Sequence, residues 1–170
     1  TFVARTIDSD RKHLVETLRA AAEHEGTALV EIYQNCNIFN DGAWEPLKDS
    51  DTRDDLLIRL VDGEPVRFGP EGARGVARGA DGTLRVVDVA EVGEDALHVH
   101  DAHLEDPSTA FALSRLSDPV TLTDTPIGIF RNVAKPSYDQ LARAQLAEAA
   151  KDGQGNLAAL IAGNDTWQIA

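Results

Sequence analysis

The only cysteine of the chain lies in a short segment rich in side-chain amides. This segment reads Gln34-Asn35-Cys36-Asn37-Ile38-Phe39-Asn40-Asp41-Gly42. A thiolate can ligate a metal or attack an electrophilic carbon, and amides with a glycine suit a loop that faces a cofactor. Turn formation by the same residues, a Cys36 nucleophile beside one of the five histidines, and an inert buried thiol are the alternatives.

A second group of candidate metal ligands contains three histidines. His98, His100 and His103 are close in sequence to Asp101 and Glu105. Residues 98 and 100 share one face of a strand, so two imidazoles could meet at a metal together with a ligand from the following turn. The alternative is that these side chains fix a strand end and a subunit contact, because no second cluster supplies a clearly catalytic group.

A predicted strand–helix–strand unit precedes the cysteine segment. Phe2 to Arg5 is a short apolar run, Asp8 or Ser9 is the predicted helix cap, Gly26 ends the helix, and Ala28 to Tyr33 is the second strand. The apolar helix positions fall on one face: Leu14, Val15, Leu18, Ala21 and Ala22. A right-handed crossover makes the strands parallel, and ligands of such sheets lie beyond the carboxyl ends, where the cysteine segment emerges.

The remaining residues predict short strands and helices. Residues 56–61 and 66–68 flank Asp62-Gly63, a pattern that favours a hairpin. Residues 69–82 hold five glycines without dinucleotide or P-loop spacing, which predicts a mobile loop. Further strands are predicted over 84–89 and 96–100, and a partial strand, broken by Pro126, within 122–129. Helices are predicted from Asp106-Pro107 to Leu116, from Pro136-Ser137 to Lys151 with Gly153 ending it, and over 157–162.

Composition excludes several classes of partner. The chain has 170 residues, 42% hydrophobic, with 29 acidic and 16 basic residues and a net charge of −13. Such a charge repels phosphate backbones and anionic lipid surfaces, so we expect neither nucleic acid nor a membrane as partner. A single cysteine and the lack of a secretory signal favour the cytoplasm. The strand-like start at Thr1 and the absence of methionine predict a piece of a longer polypeptide.

The segment Gly26 to Gly42 resembles the one that closes the thiamine-diphosphate domain in beta subunits of 2-oxoacid:ferredoxin oxidoreductases, especially those of the 2-oxoglutarate type. Three further stretches are similar to that family in order and spacing: Phe2–Arg5, His100-Asp101 leading into Ala110–Leu116, and Pro126–Arg131. In that family the cysteine of this loop is the last ligand of a [4Fe-4S] cluster, whose other three ligands lie in the amino-terminal part of the same subunit. The resemblance therefore implies that Cys36 is a cluster ligand.

The resemblance also implies an activity, with its cofactors and partners. The reaction is the oxidative decarboxylation of a 2-oxoacid with coenzyme A, with electrons passed to ferredoxin. The implied cofactors are thiamine diphosphate, Mg²⁺ and the [4Fe-4S] cluster; the implied partners are an alpha subunit, the amino-terminal part of the beta subunit, and ferredoxin. The family's Gly-Asp-Gly and Asn motif for the diphosphate has no match here, so we expect the chain to be inactive alone.

The predicted fold class is α/β: the end of a thiamine-diphosphate-binding parallel sheet domain, followed by a small α+β carboxy-terminal domain. We expect residues 1–46 to form the first part and residues 47–170 a domain that packs on the alpha subunit. The helix after Pro136 offers Tyr138, Leu141 and alanines, which suit packing on a partner better than a private core. The alternative function is an acidic, non-catalytic interaction module in which Cys36 is incidental.

Overall fold

The computed structural model of the chain describes residues 1–164, Trp167 and Ile169. Its strands are β1 (Phe2–Ile7), β2 (Ala28–Tyr33), β3 (Leu57–Leu60), β4 (Arg67–Phe68), β5 (Arg74–Arg78), β6 (Leu84–Asp88) and β7 (Thr125–Asn132). Its α-helices are α1 (Arg11–Glu23), α2 (Glu45–Lys48), α3 (Arg53–Leu56), α4 (Val89–Val92), α5 (Ser108–Ser114), α6 (Tyr138–Ala149) and α7 (Leu157–Ala162). None of the described helices combines the length and apolar character needed to cross a membrane.

The predicted strand–helix–strand unit is present. β1 and β2 pair in parallel, from Phe2 opposite Ala28 to Ile7 opposite Tyr33. The helix between them is capped by Asp10, whose Oδ1 accepts a hydrogen bond from the His13 amide at 3.1 Å. The predicted cap at Asp8 or Ser9 is wrong, because β1 continues to Ile7 and delays the start of the helix.

A four-stranded sheet of mixed direction contains this unit. Its order is β2-β1-β7-β3, with β7 antiparallel to β1 and parallel to β3. The two edge strands differ: β3 is buried, whereas β2 exposes Leu29 and Ile32 to solvent. A strand as apolar as β2 normally lies inside a sheet that is covered on both faces. β2 is therefore an apolar edge strand whose outer side is not covered by another strand of the described residues.

A second, antiparallel sheet has the order β4-β5-β6. One core cluster lies between this sheet, the first sheet and α5: Ile58, Leu60, Val66, Phe68, Val76, Leu113 and Phe130. A second cluster lies at the end of the first sheet that precedes the cysteine segment: Ile7, Leu47, Leu57 and Ile127. The α/β class predicted from the sequence is thus confirmed, although the first sheet also contains an antiparallel pair, β1 with β7.

Two local predictions between residues 56 and 82 are wrong. Gly63 does turn the chain with φ +78°, but β3 joins the first sheet and β4 the second, so no hairpin forms. The glycine-rich stretch is largely not a loop either, because it contains β5. Gly75 is required there by packing, since a Cβ would lie 2.6 Å from the Leu97 side chain and 3.0 Å from the Val66 carbonyl.

Pro126 does not break β7 as predicted. The pairing of β7 with β1 begins only at Gly128, so the missing N–H of Pro126 leaves no gap in that ladder. Residues 96–100 are also less regular than predicted: they hold only isolated bridges, Pro65 with Val99 and Ala77 with Leu97. The predicted helix after Asp106 is α5, and Asp106 accepts a hydrogen bond from the Ser108 amide at 2.8 Å.

Two compact units divide the chain, Thr1–Lys135 and Pro136–Ala170. The boundary that we predicted near residue 46 lies between β2 and β3, which belong to one sheet. In the second unit, Ser137 and Gln140 form the capping box of α6. None of the described residues of this unit is buried, and its exposed large side chains include Tyr138, Leu141, Leu146, Leu157, Leu160 and Ile161.

Candidate functional site at the carboxyl edge of the first sheet

The cysteine loop, defined as residues 34–42, leaves the carboxyl end of β2. Because β1 and β2 are parallel, the end of β1 lies at the same edge, where the Asp8 amide donates to the Tyr33 carbonyl at 3.0 Å. This is the position at which parallel sheets bind ligands. The loop is thus placed where the sequence predicted.

Asn35 closes the cysteine loop with its side chain. Its Nδ2 donates to Asn37 Oδ1 at 2.7 Å and to Asp41 Oδ1 at 2.8 Å, while its Oδ1 accepts the Gly42 amide at 2.8 Å. Gly42 has φ +74°, a left-handed conformation that glycine adopts readily. One amide side chain therefore joins the start of the loop to its end.

Cys36 lies inside this closed loop and is partly exposed. Its carbonyl accepts the Asn40 amide at 2.9 Å. The backbone N–H groups of Phe39, Ile38 and Asn40 face the sulfur and lower the pKa of the Cys36 thiol, although partial burial opposes them. N–H donors near a sulfur stabilise its anionic form relative to the neutral thiol.

Stacked side chains anchor the base of the loop. The rings of Tyr33 and Trp44 stack with their centroids 4.0 Å apart and 11° between their planes. The guanidinium of Arg5 also lies over the Tyr33 ring, 5.2 Å from its centroid, and Arg5 Nε donates to Glu31 Oε2 at 2.6 Å. These contacts span both flanks of the loop, from β2 to the turn before α2, and fix the directions in which the chain enters and leaves it.

The tip of the loop is apolar and uncovered. Ile38 is 84% exposed and Phe39 is 89% exposed, immediately after the cysteine. Exposed large apolar side chains beside a polar loop are typical of a surface that another polypeptide covers.

Two charged pairs that the sequence analysis did not predict lie at the same edge of the sheet. Arg59 Nη1 donates to Asp10 Oδ2 at 2.9 Å, and Lys48 Nζ lies 3.6 Å from Asp8 Oδ1. Burial alone would raise the pKa of Asp10, but the His13 amide and Arg59 outweigh it and lower that pKa. Arg59 and Asp10 are far apart in sequence, so no local spacing could have indicated this pair.

Comparison with known proteins supports the resemblance read from the sequence. No family model matches the chain. The 2-oxoglutarate oxidoreductase subunit KorB of Mycobacterium tuberculosis is 46% identical over 172 aligned residues, which cover 99% of this chain and 45% of that protein. The 2-oxoacid:ferredoxin oxidoreductase subunit beta of Sulfolobus sp is 39% identical over 71 residues, or 42% of this chain and 23% of that protein. The predicted resemblance to 2-oxoacid:ferredoxin oxidoreductase beta subunits is confirmed.

The chain spans less than half the length of the beta-subunit relatives that it matches. A solved structure of the 2-oxoglutarate:ferredoxin oxidoreductase from Magnetococcus marinus, with 2-oxoglutarate, coenzyme A and succinyl-CoA bound, contains a chain that aligns with a TM-score of 0.49. The identity is 22%, and the alignment covers 98% of this chain and 41% of that one. A likeness at this level does not establish a common fold.

The donor chemistry around Cys36 fits one corner of an iron–sulfur cluster of the kind that the beta-subunit family implies. A cubane cluster takes thiolate ligands, and its sulfurs accept N–H hydrogen bonds. Cys36 supplies the thiolate and the loop supplies the N–H groups. Among the described residues no group of three or more His, Cys, Asp or Glu side chains could hold a metal ion, so these residues could not hold a cluster by themselves.

The three histidines of the second candidate site do not converge. His100 is 1% exposed and its Nε2 donates to the Ile129 carbonyl at 2.8 Å, whereas the Nδ1 of His103 donates to the Asn132 carbonyl at 2.8 Å. Each of these rings keeps a second nitrogen, but among the described residues no group of three or more His, Cys, Asp or Glu side chains could hold a metal ion. The geometry therefore supports the structural interpretation, in which these side chains fix irregular backbone beside β7.

Proposed function

We propose that this chain is part of the beta subunit of an oxidoreductase that oxidatively decarboxylates a 2-oxoacid with coenzyme A and passes electrons to ferredoxin. The observation that carries the proposal is the 46% identity to the M. tuberculosis subunit across 99% of the chain. That relative is named for 2-oxoglutarate, which we take as the 2-oxoacid.

Cys36 is the proposed ligand of a [4Fe-4S] cluster that, when bound, supplies one-electron transfer. The partly exposed thiol and the amides that face it support this role. The chain's own part is to hold the sulfur as a thiolate at the sheet edge. Ile38 and Phe39 would exclude water there once another polypeptide covers them.

Thiamine diphosphate does not fit the residues present in this chain. No Gly-Asp-Gly motif occurs in the sequence, and Asp8 and Asp10 already pair with Lys48 and Arg59. We therefore place the groups that bind thiamine diphosphate and Mg²⁺, together with attack on the substrate, outside residues 1–170. It follows that the chain alone is inactive.

We also propose that two parts of the chain have different structural roles. Residues 1–46 finish the cofactor domain, and the uncovered edge of β2 supports their insertion into a larger sheet. Residues 47–170 form the carboxy-terminal domain that packs on the alpha subunit. This packing is supported by three exposed apolar side chains of α6 that no described residue of their own unit covers: Tyr138, Leu141 and Leu146. The proposed compartment is the cytoplasm.

The test is made on the full-length beta subunit that contains this chain, produced together with its alpha subunit and purified without oxygen. We expect about four irons and four sulfides per beta subunit, as one cubane cluster requires, with visible charge-transfer absorbance. We expect ferredoxin reduction that depends on coenzyme A and is faster with 2-oxoglutarate than with pyruvate. Iron-free protein without 2-oxoacid-dependent reduction would instead support the acidic interaction module.

A further inference from the structure

An apolar groove opens on the face of the first sheet that α5 partly covers. It has a volume of about 190 Å³ and lies between one side of α5 and the strands β1 and β7. Five side chains supply its apolar lining: Val3, Pro107, Ala110, Phe111 and Phe130. Phe111 is 64% exposed, so a large ring at this groove is left in water.

The sequence of α5 gives this short helix two apolar sides. Leu113 is fully buried in the first core cluster, and Ala110 and Leu116 pack against that cluster. Residues two positions apart lie on nearly opposite sides of a helix, so Phe111 cannot join the cluster when Leu113 does. α5 therefore contacts the core with one side and presents an apolar ring on the other.

A β-bulge turns Arg131 towards the same groove. Phe130 is an extra residue in the ladder between β1 and β7, where the register shifts by one position. Consecutive residues of a regular strand point to opposite faces, yet Phe130 and Arg131 both line the groove. Bulges commonly redirect a side chain next to a functional surface.

The mouth of the groove carries two cations that lack a carboxylate partner. The guanidinium of Arg115 lies 5.7 Å from the centroid of the exposed Phe111 ring. Arg131 donates to two backbone carbonyls, that of Glu105 at 2.7 Å and that of Thr1 at 3.5 Å. In the part of the chain that the structure describes, neither arginine forms an ion pair.

The charge around the groove contrasts with that of the chain, whose net charge is −13. Carboxylates on the adjoining segments already have partners: Arg5 for Glu31, Lys135 for Glu105, and the Ser108 amide for Asp106. Opposite charges at the rim of an interface favour a partner, and like charges oppose it. The polypeptide that matches this groove is therefore apolar at its centre and acidic at its edge.

The sheet beside α5 has space for a second helix. Leu29 pairs in register with Val3, and parallel neighbours point to the same face, so Leu29 extends the floor of the groove onto β2. Leu29 is 62% exposed, and α1 lies on the opposite face, where His13 bonds to Thr6 at 2.7 Å. Sheets of the α/β class are usually covered by helices, which pack about 8–10 Å from one another. A helix next to α5 would cover Leu29, Val3 and Phe111 together.

We propose that this groove docks an acidic amphipathic helix of another polypeptide. The helix lies beside α5 across β1 and β2, inserts a large apolar side chain next to Phe111, and places carboxylates against Arg115 and Arg131. Nothing in this arrangement involves Cys36 or a cluster, so it is independent of the proposed function.

The experiment uses the full-length protein that contains this chain, produced together with the alpha subunit of the proposed enzyme. The photo-crosslinking residue p-benzoylphenylalanine replaces Phe111 in one preparation and Leu29 in another, and mass spectrometry identifies the crosslinked peptides. We expect both positions to crosslink to one segment outside residues 1–170, with apolar residues at helical spacing and an excess of Asp and Glu. A crosslink to residues 136–170, a crosslink to a basic or strand-forming segment, or no crosslink from either position would overturn the proposal.

Charge reversal tests the acidic character of the partner, with the label at position 29. Arg115→Glu should lower the crosslinking yield about tenfold, Arg115→Lys should keep most of it, and added salt should weaken the parent. Arg19→Glu is the matched control, because Arg19 is an exposed arginine of α1 on the opposite face, and it should leave the yield unchanged. Urea unfolding confirms that each variant folds like the parent. If Arg115→Glu combined with Arg131→Gln crosslinks as well as the parent, the partner is not held by its carboxylates and the proposal is wrong.

Discussion

At the scale of single residues, the environment of Cys36 narrows the roles that its sequence left open. An inert core thiol would be buried, but Cys36 is partly exposed. A protein nucleophile needs a base, and among the described residues the hydrogen-bond partners of His13, His24, His100 and His103 all lie outside the cysteine loop. The amides of residues 38–40 lower the pKa of the Cys36 thiol without the help of a histidine. A metal ligand is the role that these surroundings suit best.

Cys36→Ser in the intact enzyme should separate cluster loss from cofactor binding. A serine hydroxyl stays protonated at neutral pH and is a poor ligand for iron, so we expect most of the iron to be lost. Thiamine diphosphate binding should largely survive, because its motif lies outside this chain. Bound iron, bound thiamine diphosphate and ferredoxin reduction are measured beside the parent. Unchanged iron with full ferredoxin reduction would remove Cys36 from the site.

At the scale of elements, β2 and β7 show how neighbours decide the role of a strand. β2 has the composition of an interior strand yet lies at an edge, whereas β7 contains a proline yet lies in the interior. β7 can contain a proline in the interior of the sheet because Pro126 comes before the residues that pair with β1. The reason for β2 is that no other strand of residues 1–164 reaches its outer side.

Hydrogen exchange should reveal the open edge of β2. The bonds from Phe2 N to the Thr27 carbonyl and from Asp8 N to the Tyr33 carbonyl show that odd-numbered residues of β2 pair with β1. The N–H groups of Val30 and Ile32 therefore point away from the sheet, and in this chain they should exchange roughly ten times faster than that of Glu31, or more. Equal protection of all three amides would mean that the edge is covered.

Gly128, the single glycine of β7, should tolerate a side chain poorly. Its φ is +120°, and a Cβ would lie 2.7 Å from the Leu60 carbonyl oxygen, in the backbone of β3. Gly128→Ala should lower the free energy of unfolding by about 3 kcal/mol, the sum of backbone strain and overpacking. Gly82→Ala is the control, because Gly82 has φ +82° with nothing within 4 Å and should cost only about 1 kcal/mol. Urea unfolding measures both, and equal losses would contradict the packing argument.

At the scale of the whole molecule, two histidines in different parts of the first unit link stability to pH. Burial lowers the pKa of His13, and the nearby Arg59 lowers it further. Burial also lowers the pKa of His98, with Arg78 and His100 adding to the effect. Both side chains therefore bind a proton less readily in the folded chain than in the unfolded one.

Stability should therefore fall as the pH drops below about 6.5, the ordinary histidine pKa. Above that value neither state protonates these side chains and the stability is fully present; below it the unfolded state takes up protons first and is favoured. Asp10 acts in the same direction, but only below its own ordinary pKa of 3.8. Urea midpoints measured from pH 7.5 to 5.5 should decline, and His13→Gln with His98→Gln should flatten the decline. A midpoint that rises towards pH 5.5 would contradict the argument.

The sequence by itself determined the features that depend on neighbouring residues. Local periodicity and capping predicted β1, α1, β2 and α6, and the order of β1, α1 and β2 placed the cysteine loop at the carboxyl edge of a parallel pair. The family resemblance also came from residues that are contiguous in the chain. Short-range sterics and hydrogen bonding act on each segment separately, so each segment carries this information itself.

Only the tertiary structure decided the features that join distant segments. The separation of β3 from β4 into two sheets, the pairing of β7 with β1, and the pair formed by Arg59 and Asp10 each depend on contacts between residues far apart in sequence. The hydrogen bonds that His100 and His103 donate also join distant segments, because both acceptors are carbonyls of β7. Long-range pairing is selected by the packing of the whole core, and no local pattern encodes which distant strand will supply the partner.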